Sequence, residues 1–208
     1  MIRLREIVSY LRELAPPELA EEWDNVGLLI GDPADEIRSV LTCLTLTPNI
    51  ADEAIAAKCQ LVVSHHPVLF RPVQRLTAET SEGRTLLSLI RAGISVYSPH
   101  TSYDSAADGI NAQLAKLFDL RDVRPLRPHA TSPLGSGRWG CLPAAISLRE
   151  LIERIKPVLR VSTLQYVGDL NRPINKLGTA CGAAAEFLRD AAQLGCDALL
   201  TGEARVHS

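Results

Sequence analysis

No charge of either sign dominates this chain of 208 residues: 22 Lys and Arg stand against 24 Asp and Glu, a formal net charge of −2. A near-neutral chain gives no electrostatic reason to expect general nucleic-acid binding. No C-x-x-C pair occurs among the five cysteines, Cys43, Cys59, Cys141, Cys181 and Cys196; their count is odd and most lie in apolar runs. That argues against a disulfide framework or a cysteine zinc site, and for a reducing cytoplasm. No uninterrupted apolar stretch reaches the length of a bilayer span, so no membrane helix is expected. The first residues do not read as a signal peptide, because Leu4, Ile7, Val8, Leu11 and Leu14 share one helical face while Arg3, Arg5, Glu6, Arg12 and Glu13 lie elsewhere. A Walker A sequence, a G-x-S-x-G elbow and a dinucleotide fingerprint are all lacking. What remains is an ordinary globular composition, 46% hydrophobic and 22% charged, long enough for a core without staples.

Strand and helix signals alternate along the chain. Pro16-Pro17 stops the first helix, and Val26–Ile30 reads as a short buried strand closed by Gly31-Asp32-Pro33. Arg38–Leu46 is a second strand. Thr47-Pro48 then opens a helix to about Lys58, with Thr at the N-cap and Pro at the first helical position. Leu61-Val62-Val63 runs into Ser64-His65-His66-Pro67. A helix over Gly83–Arg91 and a strand over Ile94–Tyr97 lead to Ser98-Pro99-His100-Thr101-Ser102-Tyr103-Asp104, and a further helix stripes Ile110, Leu114, Leu117 and Phe118. The Pro- and Gly-rich residues 119–138 read as a linker or crossover. Beyond them come a strand near Trp139–Leu142 and a helix led by a Ser147/Glu150 capping box. Strands over Ser162–Val167 and Asn175–Ala180, a helix to about Leu194 and a strand over Ala198–Leu200 complete the pattern. Three segments, QLVVSHH, ISVYSPH and DALLTGE, share a design in which a short strand runs into polar residues. Such alternation predicts an α/β chain with mostly parallel sheets and flanking helices, in which ligands bind at the carboxyl ends of strands.

His65 and His66 are the most informative pair, because two imidazoles just past a strand end can each serve a cation; two solvated imidazoles are the bland alternative. His100 and Asp104, at the end of the next strand, add an imidazole and a carboxylate, a donor set that suits zinc, iron, manganese or nickel better than calcium or magnesium. Asp104 reads equally as a helix N-cap. Glu203 and His207, spaced i, i+4, form a third polar end or a frayed terminus. Trp23-Asp24-Asn25 reads more readily as a core Trp followed by a local turn than as pocket lining. Cys181-Gly182-Ala183-Ala184 is a weak anion-site signal, and Arg121, Arg124, Arg127 and His129 read as a solvated basic loop.

EEWDNVGLLIGDP, LVVSHHPVLFRP, SPHTSYDSAADGIN and GCDALLTGEARVH occur in this order across nearly the whole chain. Together they resemble the GTP cyclohydrolase I type 2 homologue family, also described as dinuclear-metal-centre hexameric proteins. The resemblance implies two similar α/β lobes, assigned here to residues 1–124 and 125–208, and a toroidal homohexamer with metal sites facing its interior. It implies His65, His66 and Asp104 as ligands of a divalent metal. His100 and Glu203 would lie close by as substrate-facing or proton-carrying groups. It further implies a cytoplasmic, metal-dependent hydrolase of a nucleotide or other small molecule, or else a non-catalytic metal-binding ring; neither nucleic acid nor membrane is an expected partner. The family pattern continues with a Gly-His-x-x-Ser-Glu segment that completes a two-ion site. This sequence ends at Ser208, so an incomplete second lobe and fewer than two ions per protomer are expected.

Overall fold

The computed structural model describes residues 1–204; His207, read together with Glu203 as a polar end or a frayed terminus, lies outside the described residues. The chain forms two compact units, Met1–Tyr103 and the residues from Asp104 onward. Segment 104–124, expected to close the first lobe, therefore packs with the second. Among the described residues no helix is long and apolar enough to cross a membrane.

The first unit comprises β1 (Ile2–Arg3), α1 (Leu4–Leu14), β2 (Gly27–Ile30), β3 (Glu36–Ile37), β4 (Val40–Thr45), α2 (Pro48–Ala56), β5 (Leu61–His66), α3 (Ser81–Arg91) and β6 (Ser95–Ser98). Its main sheet has the order β2-β6-β5-β4. Strands β4, β5 and β6 are parallel to one another, and β2 runs antiparallel to β6. Side chains alternate across a strand, and both faces here are covered. Val62 and Val96 pack with Ala51, Ala54 and Leu89 of α2 and α3, whereas Leu61 and Tyr97 pack with Leu4 of α1 and with Ile37. Continuous apolar runs such as Leu61-Val62-Val63 are what two-sided burial requires. The Thr47 hydroxyl accepts from the Ile50 N–H at the start of α2, as the Thr-Pro signal predicts. Gly31, in the Gly-Asp-Pro turn, has φ +132°, and a Cβ there would lie 2.2 Å from Ser95 Oγ; only glycine lets the chain turn so close to β6.

A short helix, α4 (His100–Ser105), runs across the boundary. The second unit contains α5 (Ile110–Leu117), β7 (Arg121–Arg124), β8 (Arg127–Pro128), β9 (Gly135–Ser136), β10 (Arg138–Ser147), α6 (Leu148–Leu159), β11 (Pro173–Ala180), α7 (Leu188–Gln193) and β12 (Ala198–Thr201). The sheet order is β12-β11-β10-β7. Only β11 and β12 are parallel; the other two pairings are antiparallel. This corrects the expectation of mostly parallel sheets for the second lobe. The supposed linker 119–138 holds β7 and the β8–β9 hairpin, and such a short return supports an antiparallel neighbour without a helical crossover. Ser162–Val167, read as a strand, is irregular, and the strand that follows α6 is β11. The predicted capping box is present: Ser147 Oγ accepts from the Glu150 N–H at 3.2 Å, and Glu150 Oε2 accepts from the Ser147 N–H at 2.7 Å. Helices α5 and α6 pack on one face of the sheet, through Ala115, Leu151 and Ile155. On the other, Ala191 of α7 packs with Leu126 and Phe187.

Candidate metal centre

Parallel strands put equivalent ends side by side, and the first unit gathers three of them. Thr45 closes β4, His65 and His66 close β5, and His100 follows β6 by two residues. The strand holding the histidine pair extends further than its apolar run suggested, through His66 itself. The three imidazoles form a near-equilateral triangle, with ring centroids 5.2 Å (His65–His66), 5.3 Å (His65–His100) and 5.7 Å (His66–His100) apart. One ligand nitrogen from each ring lies within 4.8 Å of the others.

Because β2 is antiparallel to β6, with Gly27 opposite Ser98, the start of β2 lies beside the end of β6. This brings Trp23 and Asp24 to the site. The Asp24 side chain has 0% exposure. Its Oδ1 and Oδ2 accept from His100 Nδ1 at 2.8 and 2.9 Å, and Oδ2 also accepts from the Thr101 N–H at 3.1 Å and the Thr101 hydroxyl at 2.5 Å. The expected local turn exists as well, since Asp24 Oδ1 accepts from the Asn25 N–H at 2.8 Å. The expectation of a core Trp23 does not hold: the indole is 59% exposed and stands edge-on to Phe70 at 5.8 Å and to His100 at 6.2 Å. Thr45 Oγ1 lies 2.7 Å from His66 Nδ1. Asp24, Trp23, Thr45 and Phe70 were not singled out from sequence as site residues. Only the antiparallel direction of β2 recruits the first two, and the Trp-Asp-Asn run was the one available hint.

Charge is distributed to favour unprotonated imidazoles on β5. Burial, reinforced by the neighbouring His100 and His66, pulls His65 down to about 4 from 6.5. Burial and then His100 lower His66 as well. Burial opposes ionisation of Asp24, but the hydrogen bonds from His100 and Thr101 and the charge of His100 outweigh it, holding the carboxyl below its ordinary range. Three converging imidazoles, two of them resistant to protonation, fit a first-row divalent cation, for which neutral imidazole is a common ligand. The His65, His66 and His100 group is thus able to hold a metal ion.

Asp104 and Glu203 belong to the second unit. Asp104 lies within α4, not at the N-cap of the next helix; Gly109 is the N-cap of α5. Asn111 Nδ2 donates to the Asp104 carbonyl at 3.1 Å and to Cys181 Sγ at 3.3 Å, while its Oδ1 accepts from the Cys181 N–H at 2.9 Å. Burial pushes the Cys181 thiol up, and the adjacent Asp104 carboxylate, which accepts its hydrogen bond, pushes the same way. Glu203 follows β12, its N–H donating to the Gly182 carbonyl at 3.0 Å. Within the expected basic loop, Arg127 is not simply solvated: it pairs with Asp190 at 2.7 Å and lies 4.3 Å over the Phe187 ring.

Known proteins are similar to this chain in sequence and in fold. A Clostridium perfringens protein described as "GTP cyclohydrolase 1 type 2 homolog" is 35% identical over 207 residues, covering 99% of this chain and 79% of its own. A Clostridium acetobutylicum protein of the same description is 31% identical over 208 residues, covering 99% of this chain and 78% of its own. The crystal structure of a hypothetical protein from Staphylococcus aureus superposes with a TM-score of 0.89 at 26% identity, covering 99% of this chain and 80% of that one. The profile of Duf34/NIF3 (NGG1p interacting factor 3) matches residues 2–208, and the chain belongs to that family.

Proposed function

We propose that this protein binds a divalent metal at the carboxyl ends of β4–β6 and uses it to hydrolyse a nucleotide or a related small molecule. The observation that carries the reading is the convergence of the His65, His66 and His100 ligand nitrogens within 4.8 Å. The description of the clostridial relatives as GTP cyclohydrolase homologues supports the nucleotide as substrate class. His65, His66 and His100 would hold the ion. Zinc, iron, manganese and nickel suit this donor set. Once bound, such a cation supplies a Lewis acid and brings the ionisation of water towards neutral pH. The chain's own residues do the rest. Burial keeps His65 available as a ligand above pH about 4, Thr45 orients the His66 ring, and the exposed Trp23 and Phe70 offer an aromatic wall beside His100. Self-association into a ring in the cytoplasm completes the reading; edge strand β4, with Val40 43% and Leu44 65% exposed, is available for it.

The test is elemental analysis of the purified chain together with GTP turnover. At least one tightly held ion per chain, and metal-dependent turnover abolished by His65→Ala, is the expected result. Metal without turnover of any nucleotide would leave a non-catalytic, ring-forming metal binder. Absence of any bound or bindable metal would end the proposal.

A further inference from the structure

We propose that Asp24 is a positioning residue: it fixes the ring tautomer and the backbone pose of His100 so that the Nε2 lone pair is presented to the ion shared with His65 and His66. The inference rests on the metal-centre reading above and adds to it a residue outside the ligand set.

A carboxylate with 0% side-chain exposure must find donors for its oxygens within the protein. Asp24 finds them on the backbone of Asn25, on the backbone and hydroxyl of Thr101, and on His100 Nδ1. Three of the four come from a segment more than seventy positions away in sequence, which a local turn does not require. An ionised carboxylate only accepts hydrogen bonds, so the proton between Asp24 and His100 sits on Nδ1. In the neutral ring the lone pair is then confined to Nε2, the one nitrogen left to serve as a ligand. Outer carboxylates that hold a metal-binding imidazole in this way set both tautomer and orientation.

His100 has φ +29°, a region that non-glycine residues seldom occupy and that persists only where surrounding contacts impose it. Asp24 grips the ring of His100 and the amide of Thr101 at once, so it restrains the chain on the C-terminal side of that strained residue and the ring itself. The Thr101 hydroxyl also accepts from the Glu21 N–H at 3.0 Å, which ties the segment carrying Asp24 to the segment it holds.

The test needs no catalysis. 15N NMR of the metal-free full chain, at a pH where the His100 ring is neutral, distinguishes a protonated from an unprotonated ring nitrogen. Wild type is expected to show His100 with Nδ1 protonated and Nε2 bare. Asp24→Asn, whose amide must oppose at least one of the four donors, is expected to populate the Nε2-protonated form and to weaken zinc binding about 10- to 100-fold by calorimetry. A wild-type ring protonated on Nε2 would overturn the proposal without any variant. So would an Asp24→Asn chain, folded by circular dichroism, that keeps both the wild-type tautomer and the wild-type zinc affinity. If the tautomer changes as expected but wild type takes up no zinc, the positioning by Asp24 stands and the metal-centre reading falls.

Discussion

His65 shows how environment makes a common residue able to serve as a ligand. An exposed imidazole near neutral pH is partly protonated and competes poorly for a cation, whereas burial and two neighbouring imidazoles bring His65 to about 4. If His65 is a ligand as proposed, His65→Ala is expected to cost more than about 100-fold in zinc affinity, measured by calorimetry. The same shift has a consequence for stability. The folded-state value lies below the unfolded 6.5, so between those values the unfolded chain binds a proton that the folded chain refuses. The contribution is therefore fully present above pH 6.5 and is lost as pH falls towards 4; His66 shifts in the same direction. Asp24, also lowered, adds a further loss in stronger acid. Urea midpoints of the metal-free chain should drop between pH 7.5 and pH 5, and the drop should be smaller in His65→Ala.

At the scale of elements, helix ends and buried cations decide local stability. The reciprocal Ser147–Glu150 bonds satisfy backbone donors at the start of α6. Ser147→Ala is expected to destabilise the second unit by about 1 kcal/mol in urea titration. Arg138 is a larger case. It is 4% exposed, and its guanidinium donates to four carbonyls, those of Gly135, Gly137, Ser105 and Ala106. Arg138→Met leaves those acceptors buried beside a thioether, and the expected loss is about 3 kcal/mol. Caps of this kind were legible in advance, because a capping box and a Thr-Pro pair act within four residues. The role of Arg138 was not, because nothing in the sequence near it says which carbonyls it will meet.

At the scale of the whole molecule, a metal bound at the proposed centre would be linked to the fold. The three imidazoles come from two parallel strand ends of one unit, and they converge only when β5 and β6 are paired. A cation that binds this arrangement and not the unfolded chain stabilises it. Zinc at 100 times its dissociation constant is expected to add about 2.7 kcal/mol, seen as a rise in the thermal midpoint that His65→Ala abolishes. Parallel strands with helices between them were readable from the alternating pattern, and they placed His65, His66 and His100 at neighbouring ends. The mostly antiparallel second sheet was not readable: β7 and β10 are joined by a hairpin over residues whose Pro and Gly content resembles that of a linker.

Sequence alone determined what depends on near neighbours: the apolar runs of β5 and β6, the caps of α2 and α6, and the placing of paired imidazoles where strands end. Tertiary structure decided what depends on strand direction. Antiparallel pairing of β2 with β6 carries Asp24 and Trp23 to His100, and packing in the second unit sets Asp104 beside Cys181. The physical reason is that hydrophobic periodicity records which face of an element is buried, while the partner across a long loop is chosen by chain reversal and packing, which leave no local pattern.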